Sequence, residues 1–128
     1  MTITTTAWHS AGLAVTLLVA AGLSGCGGGD TQAACTRVQA EIANITSQGM
    51  VSVSDPKSLK KVYDDGAVQL REMAKGTDIA DETENVAVAM ERIGQQVADF
   101  AANPGTTMPQ LDSAGLTSAG VALKNACS

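Results

Sequence analysis

Few side chains in this 128-residue chain could do chemistry. Thiols stand at Cys26, Cys35 and Cys127, and the one imidazole is His9. Ser58 and Lys61 have the Ser-x-x-Lys spacing in which a lysine can assist a nucleophilic serine. Asp78, Asp81, Glu82 and Glu84 gather carboxylates that could hold a cation or stabilise a helix start. Lys57, Lys60 and Lys61 gather ammonium groups that form a possible basic contact patch for anionic lipid head groups or an acidic partner. Asn44-Ile45-Thr46 has the spacing of a glycan acceptor.

Most of these groups lack the partners that their chemistry needs. The Ser-x-x-Lys pattern comes without Ser-Asp-Asn or Lys-Thr-Gly, since Lys75-Gly76-Thr77 has the wrong order. The acidic stretch lacks the alternating oxygen ligands and central glycine of a calcium loop, so a helix N-terminus rich in acids is the simpler account. Two distant cysteines do not make a zinc site without further ligands. For Lys57, Lys60 and Lys61 the simpler account is a solvated face, with Asp64 and Asp65 four residues beyond Lys60 and Lys61. Ile45 falls on an apolar stripe, which argues against glycosylation at Asn44. These residues predict no enzyme, no cofactor and no bound metal.

Cys26 is different because of what precedes it. Residues 1–25 contain no Lys, Arg, Asp or Glu, and residues 11–23 form an apolar run. That run matches a secretory core of about 7–15 residues and falls short of the roughly 20 that a spanning helix needs. It ends in Leu23-Ser24-Gly25-Cys26, which resembles a bacterial lipobox. The resemblance implies a diacylglycerol on the Cys26 thiol and cleavage before Cys26. Two other readings stay open: a plain secretion signal cut near Ala33-Ala34, and a retained apolar anchor.

Cleavage before Cys26 leaves about one domain. It removes Trp8 and His9, so a Ser-His-Asp set has no histidine and the remaining aromatics are Tyr63 and Phe100. The net charge of −5 and the lack of a basic stripe or stacking platform exclude a nucleic-acid binder. A lipid on Cys26 leaves Cys35 and Cys127 as a pair, and outside the cytosol such a pair is expected to oxidise.

The elements behind Cys26 read as helices. Residues 26–33, opening on Gly27-Gly28-Gly29, read as a flexible tether. Helix one is expected over 31–48, with Cys35, Val38, Ile42 and Ile45 on one face and Gly49 as its stop. Met50 to Ser54 reads as a connector. Helix two opens at Asp55-Pro56 and ends at Gly76. Its stripe runs through Leu59, Val62, Tyr63, Ala67, Leu70, Met73 and Ala74, and Gly66 weakens it by about 1 kcal/mol. Helix three starts with Asp78 as cap, carries Val86, Met90, Ile93, Val97 and Phe100, and stops at Asn103-Pro104-Gly105. Helix four is expected over about 109–126, with Leu111, Leu116, Ala119, Leu123 and Cys127 on one face. Its Gly115 and Gly120 cost helicity and would let a neighbouring helix approach closely.

Four amphipathic segments with short connections predict an all-α domain over 34–128, an up-down four-helix bundle. That topology brings the start of helix one beside the end of helix four, where Cys35 and Cys127 fall. A disulfide there closes a 92-residue loop and contributes about 4–5 kcal/mol in the chain-entropy model.

The lipobox at Cys26, Cys35 opening the first helix, Asp55-Pro56 opening the second and the terminal segment Gly120 to Cys127 together resemble small actinobacterial lipoproteins and secreted helical proteins of uncharacterised role. The resemblance implies a location and no activity. The expectation is an extracytoplasmic protein held to the outer face of the cell membrane by lipid, acting through protein or envelope contacts. The alternative is a helical module binding a lipid or small apolar ligand, with Met73, Met90 and Phe100 either packing the core or lining a cavity.

Overall fold

The computed structural model describes residues 29–107 and 110–128, and these residues form four helices and no strand. The helices are α1 (Gly29–Val51), α2 (Pro56–Ala74), α3 (Ala80–Ala102) and α4 (Ser113–Ala126). The expected signal segment 1–25, Cys26 and Pro109 lie outside the described residues.

The start of α2 follows its sequence signal. Asp55 is the N-cap, its carboxylate accepting the Lys57 backbone N–H at 3.1 Å, and Pro56 opens the helix. At the other end Gly76 stands just past the C-cap at φ +72°, where a side chain would be strained. Asn103 follows the last residue of α3 as expected.

Other boundaries differ, each for a local reason. Helix α1 begins at Gly29, so the expected tether is helical from that residue onward. Asp30 complements the positive end of its dipole, and Ala34 is fully buried, which ties the first turns to the core. At its far end α1 runs through Gly49 to Val51. Gly49 serves close packing instead of stopping the helix: a Cβ there would lie 3.2 Å from the Tyr63 ring. The N-cap of α3 is the buried Ile79 and not Asp78, because packing claims that position. Asp78 instead accepts the Thr31 hydroxyl at 3.3 Å. Helix α4 starts later than expected because Asp112 caps it through the Gly115 N–H at 3.0 Å.

Consecutive helices run antiparallel. Ile45 of α1 meets Gly66 of α2, and Gly49 meets Tyr63. Arg71 near the end of α2 pairs with Glu84 near the start of α3, while Lys60 at the other end of α2 meets Gly94. Arg92 of α3 reaches Asp112 at the head of α4. Packing is extensive between α1 and α2, between α2 and α3 and between α3 and α4. There is no comparably broad α1–α4 interface, so the disulfide is the main closure between first and last helix.

The core sits where the four stripes converge. Val38 and Ile45 of α1, Leu70 of α2, Val86 and Met90 of α3 and Leu123 of α4 form one buried cluster. Each such side chain contributes about 1.5–3 kcal/mol by leaving water. Leu116, Ala119 and Cys127 complete the α4 stripe, whereas Leu111 precedes the helix and stays exposed. Close approach uses Gly66 and Gly94: a Cβ on Gly94 would lie 3.3 Å from the Lys60 Cα. On α4 the expectation fails, since a Cβ on Gly115 would meet its own Asp112 cap and one on Gly120 would meet nothing.

Candidate functional site

The bundle has two ends with different chemistry. One holds the start of α1, the α2–α3 connection and the end of α4. There Cys35 in the second turn of α1 and Cys127 at the C-cap of α4 are joined, with Cα atoms 5.7 Å apart. This is within ordinary disulfide reach. The Cys35 side chain is buried at 2 % exposure, which shields the bond on one side. Cys26, the residue expected to carry a lipid, precedes the first residue of α1 by three positions and lies outside the described residues.

The other end holds the α1–α2 connection and the start of α2, and the lysine group is here. Lys60 pairs with Asp64 and Lys61 with Asp65 along the same face. Lys57 is exposed and makes no ion pair among the described residues. The positive charge of the expected contact patch is therefore largely balanced by its own helix. Ser58 is also engaged: its hydroxyl donates to Asp55 at 2.6 Å, and this bond first, with the cap N–H groups, holds the Asp55 carboxyl below the usual range. With the Ser58 hydroxyl donating to the Asp55 cap and Lys61 paired to Asp65, the Ser-x-x-Lys spacing forms no nucleophile–base pair.

A charge cluster that sequence reasoning missed lies between α2 and α3. The Arg71 guanidinium is gripped by two carboxylates one above the other on α3. Its Nε and one terminal nitrogen donate to Glu84 at 2.6 and 3.0 Å, and its terminal nitrogens donate to Glu91 at 2.6 and 2.9 Å. These bonds hold both glutamates below the usual carboxylate range and push the guanidinium further from deprotonation. The i, i+7 spacing of Glu84 and Glu91 was a visible sign that they share a face. A smaller pair joins Arg92 to Asp112 at 2.7 Å, and it depresses the Asp112 carboxyl together with the Gly115 N–H.

All these shifted carboxylates are lowered, so they stay ionised at neutral pH. A general acid or base working there would need a value moved toward neutrality. Among the described residues, no group of three or more His, Cys, Asp or Glu is placed to hold a metal ion. The acidic stretch is divided by function: Asp78 bonds Thr31, Glu84 grips Arg71, and Asp81 and Glu82 occupy the first turn of α3.

Open grooves run between the helices. One of about 740 Å³ lies between the start of α1 and the end of α2, with Arg37, Glu72, Met73 and Lys75 on its walls. Another of about 380 Å³ separates α3 from α4, with Val88, Arg92, Ser118 and Ala122 along it. Met90 is buried in the core and Met73 packs at its edge, which matches the packing expectation. Phe100 is half-buried and lines a surface groove of about 250 Å³ beside Asn103. Ile45 is buried, as its stripe predicts, and Thr46 donates back to the Ile42 carbonyl at 2.8 Å. No helix among the described residues is long and apolar enough to cross a membrane.

No family model, curated protein or solved structure matches this chain.

Proposed function

We propose that this protein is a lipid-anchored, extracytoplasmic component of the cell envelope that acts through contacts with other proteins or the envelope rather than by catalysis. The observation that carries the reading is the Cys35–Cys127 bridge. A bridged pair suits an oxidising compartment outside the cytosol. It also accounts for two of three cysteines and leaves Cys26 as the odd thiol, at the end of an apolar run and directly before the first helix. The lipobox resemblance supplies the chemistry for that thiol: a thioether to diacylglycerol, with the new N-terminus at Cys26. The charged groups of the bundle support a scaffold role, because Arg71, Glu84, Glu91, Arg92 and Asp112 are spent on each other.

Replacing Cys26 tests the anchor. In cells, Cys26→Ala should move the protein from the membrane fraction to the medium, or block its processing, and should abolish incorporation of labelled fatty acid. Unchanged membrane retention without label would overturn the reading. Crosslinking in intact cells with the lipid-bearing protein would then identify the contacts; recovery of a bound apolar small molecule in place of a protein would favour the ligand-binding alternative.

A further inference from the structure

The charge of the bundle is unevenly shared among its helices. Helix α3 carries five acids and one base, whereas α2 carries three acids and four bases. Helices α1 and α4, joined at one end by the disulfide, carry Asp30, Glu41, Arg37 and Lys124, which sum to zero. The low-charge side also holds the most exposed apolar group among the described residues: Met50 at 74 %, Val51 at 84 % and Val53 at 68 %, in and just after the last turn of α1. Other exposed apolar residues, such as Val68 and Val121, stand singly, which is ordinary for a surface. A run of adjacent ones marks a contact.

The chain outside the structure indicates what that contact is. The 28 residues before Gly29 contain the apolar run and Cys26, and they enter the bundle at the start of α1. The lipid-bearing position and the apolar tip therefore lie at opposite ends of one helix roughly 35 Å long. From Cys26 to Gly29 the chain reaches about 10 Å at most, so a lipid on Cys26 holds the first turn of α1 near the interface. Two orientations follow. An upright bundle would press Asp78 of the α2–α3 connection and Asp81 and Glu82 of the first turn of α3 toward anionic head groups, with Lys75 as the one cation of that connection. A bundle lying on α1 turns the acidic α3, which has no broad contact with α1, outward and brings the apolar tip to the bilayer.

We infer that α1 lies along the membrane surface and that Met50, Val51 and Val53 insert into its interfacial layer as a second point of attachment. The inference rests on the lipid-anchored reading. It makes the partner of this surface a lipid bilayer, and it assigns α3, with its exposed carboxylates, to face away from the membrane. Apolar side chains inserted about 5–10 Å deep are typical of such surface attachment.

The mature chain provides a clean probe, because the one tryptophan, Trp8, precedes the cleavage position. Val51→Trp and, as control on the outer side of α2, Val68→Trp are introduced into the full-length gene. The lipid-bearing proteins are purified in detergent and reconstituted into phosphatidylcholine–phosphatidylglycerol vesicles with brominated acyl chains. Both sites are exposed, so the fold should be retained, and unchanged helical circular dichroism checks this. The expected result is a blue-shifted emission at position 51 and bromine quenching several-fold stronger than at position 68. Equal quenching at both sites, or none at 51, in protein whose intact mass shows the lipid on Cys26 would overturn the inference and leave the anchor standing. A blue shift at 51 without bromine quenching would likewise overturn it, in favour of a protein contact. A mass without lipid, together with silence at 51, would overturn both.

Discussion

Ile45 of α1 occupies the space that a side chain on Gly66 of α2 would need. A Cβ built on Gly66 would stand 2.5 Å from Ile45 Cδ1 and 2.6 Å from Cγ1. Ile45 is 2 % exposed and has little freedom to retreat. Gly66→Ala therefore pits a helix-propensity gain of about 1 kcal/mol against an overpacking cost of about 1–3 kcal/mol. The sterics should win, and the urea midpoint should fall. Gly120→Ala meets nothing within 4 Å and should raise it by about 0.5–1 kcal/mol of stability. Equal effects at the two sites would refute the close contact.

Breaking the disulfide should matter most for α4. Cys35→Ser with Cys127→Ser should cost about 4 kcal/mol, read from the denaturant midpoint, through the 92-residue loop that is no longer closed. Because α4 packs broadly on α3 and not on α1, its amides should exchange faster than those of α2 and α3 in the double variant. Uniform loss of protection across all four helices would contradict this arrangement.

Thr83 is fully buried, and its hydroxyl has no hydrogen-bond partner among the described residues. Thr83→Val keeps the branched shape and removes the stranded polar atom. Melting should shift upward, by about 1 kcal/mol of stability. A decrease would mean that the hydroxyl has found a partner, such as a bound water.

Arg71 sets the acid sensitivity of the α2–α3 interface. Glu84 and Glu91 have values in the folded protein below those of the unfolded chain, held there first by their bonds to Arg71. The folded state thus binds fewer protons, and the stabilisation is present above the unfolded value of about 4.3. It is lost as pH falls through the lowered folded values. Arg71→Gln should cost about 1 kcal/mol at neutral pH, the modest scale of partly exposed ion pairs. It should also flatten the decline in stability below about pH 4.3. Arg71→Lys should recover part of the loss, since an ammonium keeps the charge without the fork that serves two carboxylates. A wild-type acid profile in Arg71→Gln would show that other carboxylates govern it.

The number and order of the helices were legible in the chain because each carries a 3.6-residue apolar stripe, and α2 and the end of α3 are also marked by punctuation. Asp55-Pro56, Gly76 and Asn103-Pro104-Gly105 are signals that act over a few residues, so local sequence suffices to place them. The pairing of Cys35 with Cys127 followed from a count and a topology. What the chain did not reveal depends on neighbours distant in sequence. Gly49 reads as a helix stop until Tyr63 is seen beside it, and Asp78 reads as a cap until the buried Ile79 takes that place. Gly66 reads as a weakness until Ile45 fills it.

The residues that could do chemistry divide the same way. Composition alone left few groups for catalysis, and residue order alone marked Cys26, because a thiol after an apolar run needs no fold to be recognised. Tertiary structure decided how the remaining charges are used. It set Arg71 between Glu84 and Glu91 and put the lysines at the end of the bundle away from the start of α1. Helical periodicity specifies which side of a helix is buried, while the neighbour and the end it meets are set by how four helices pack at once.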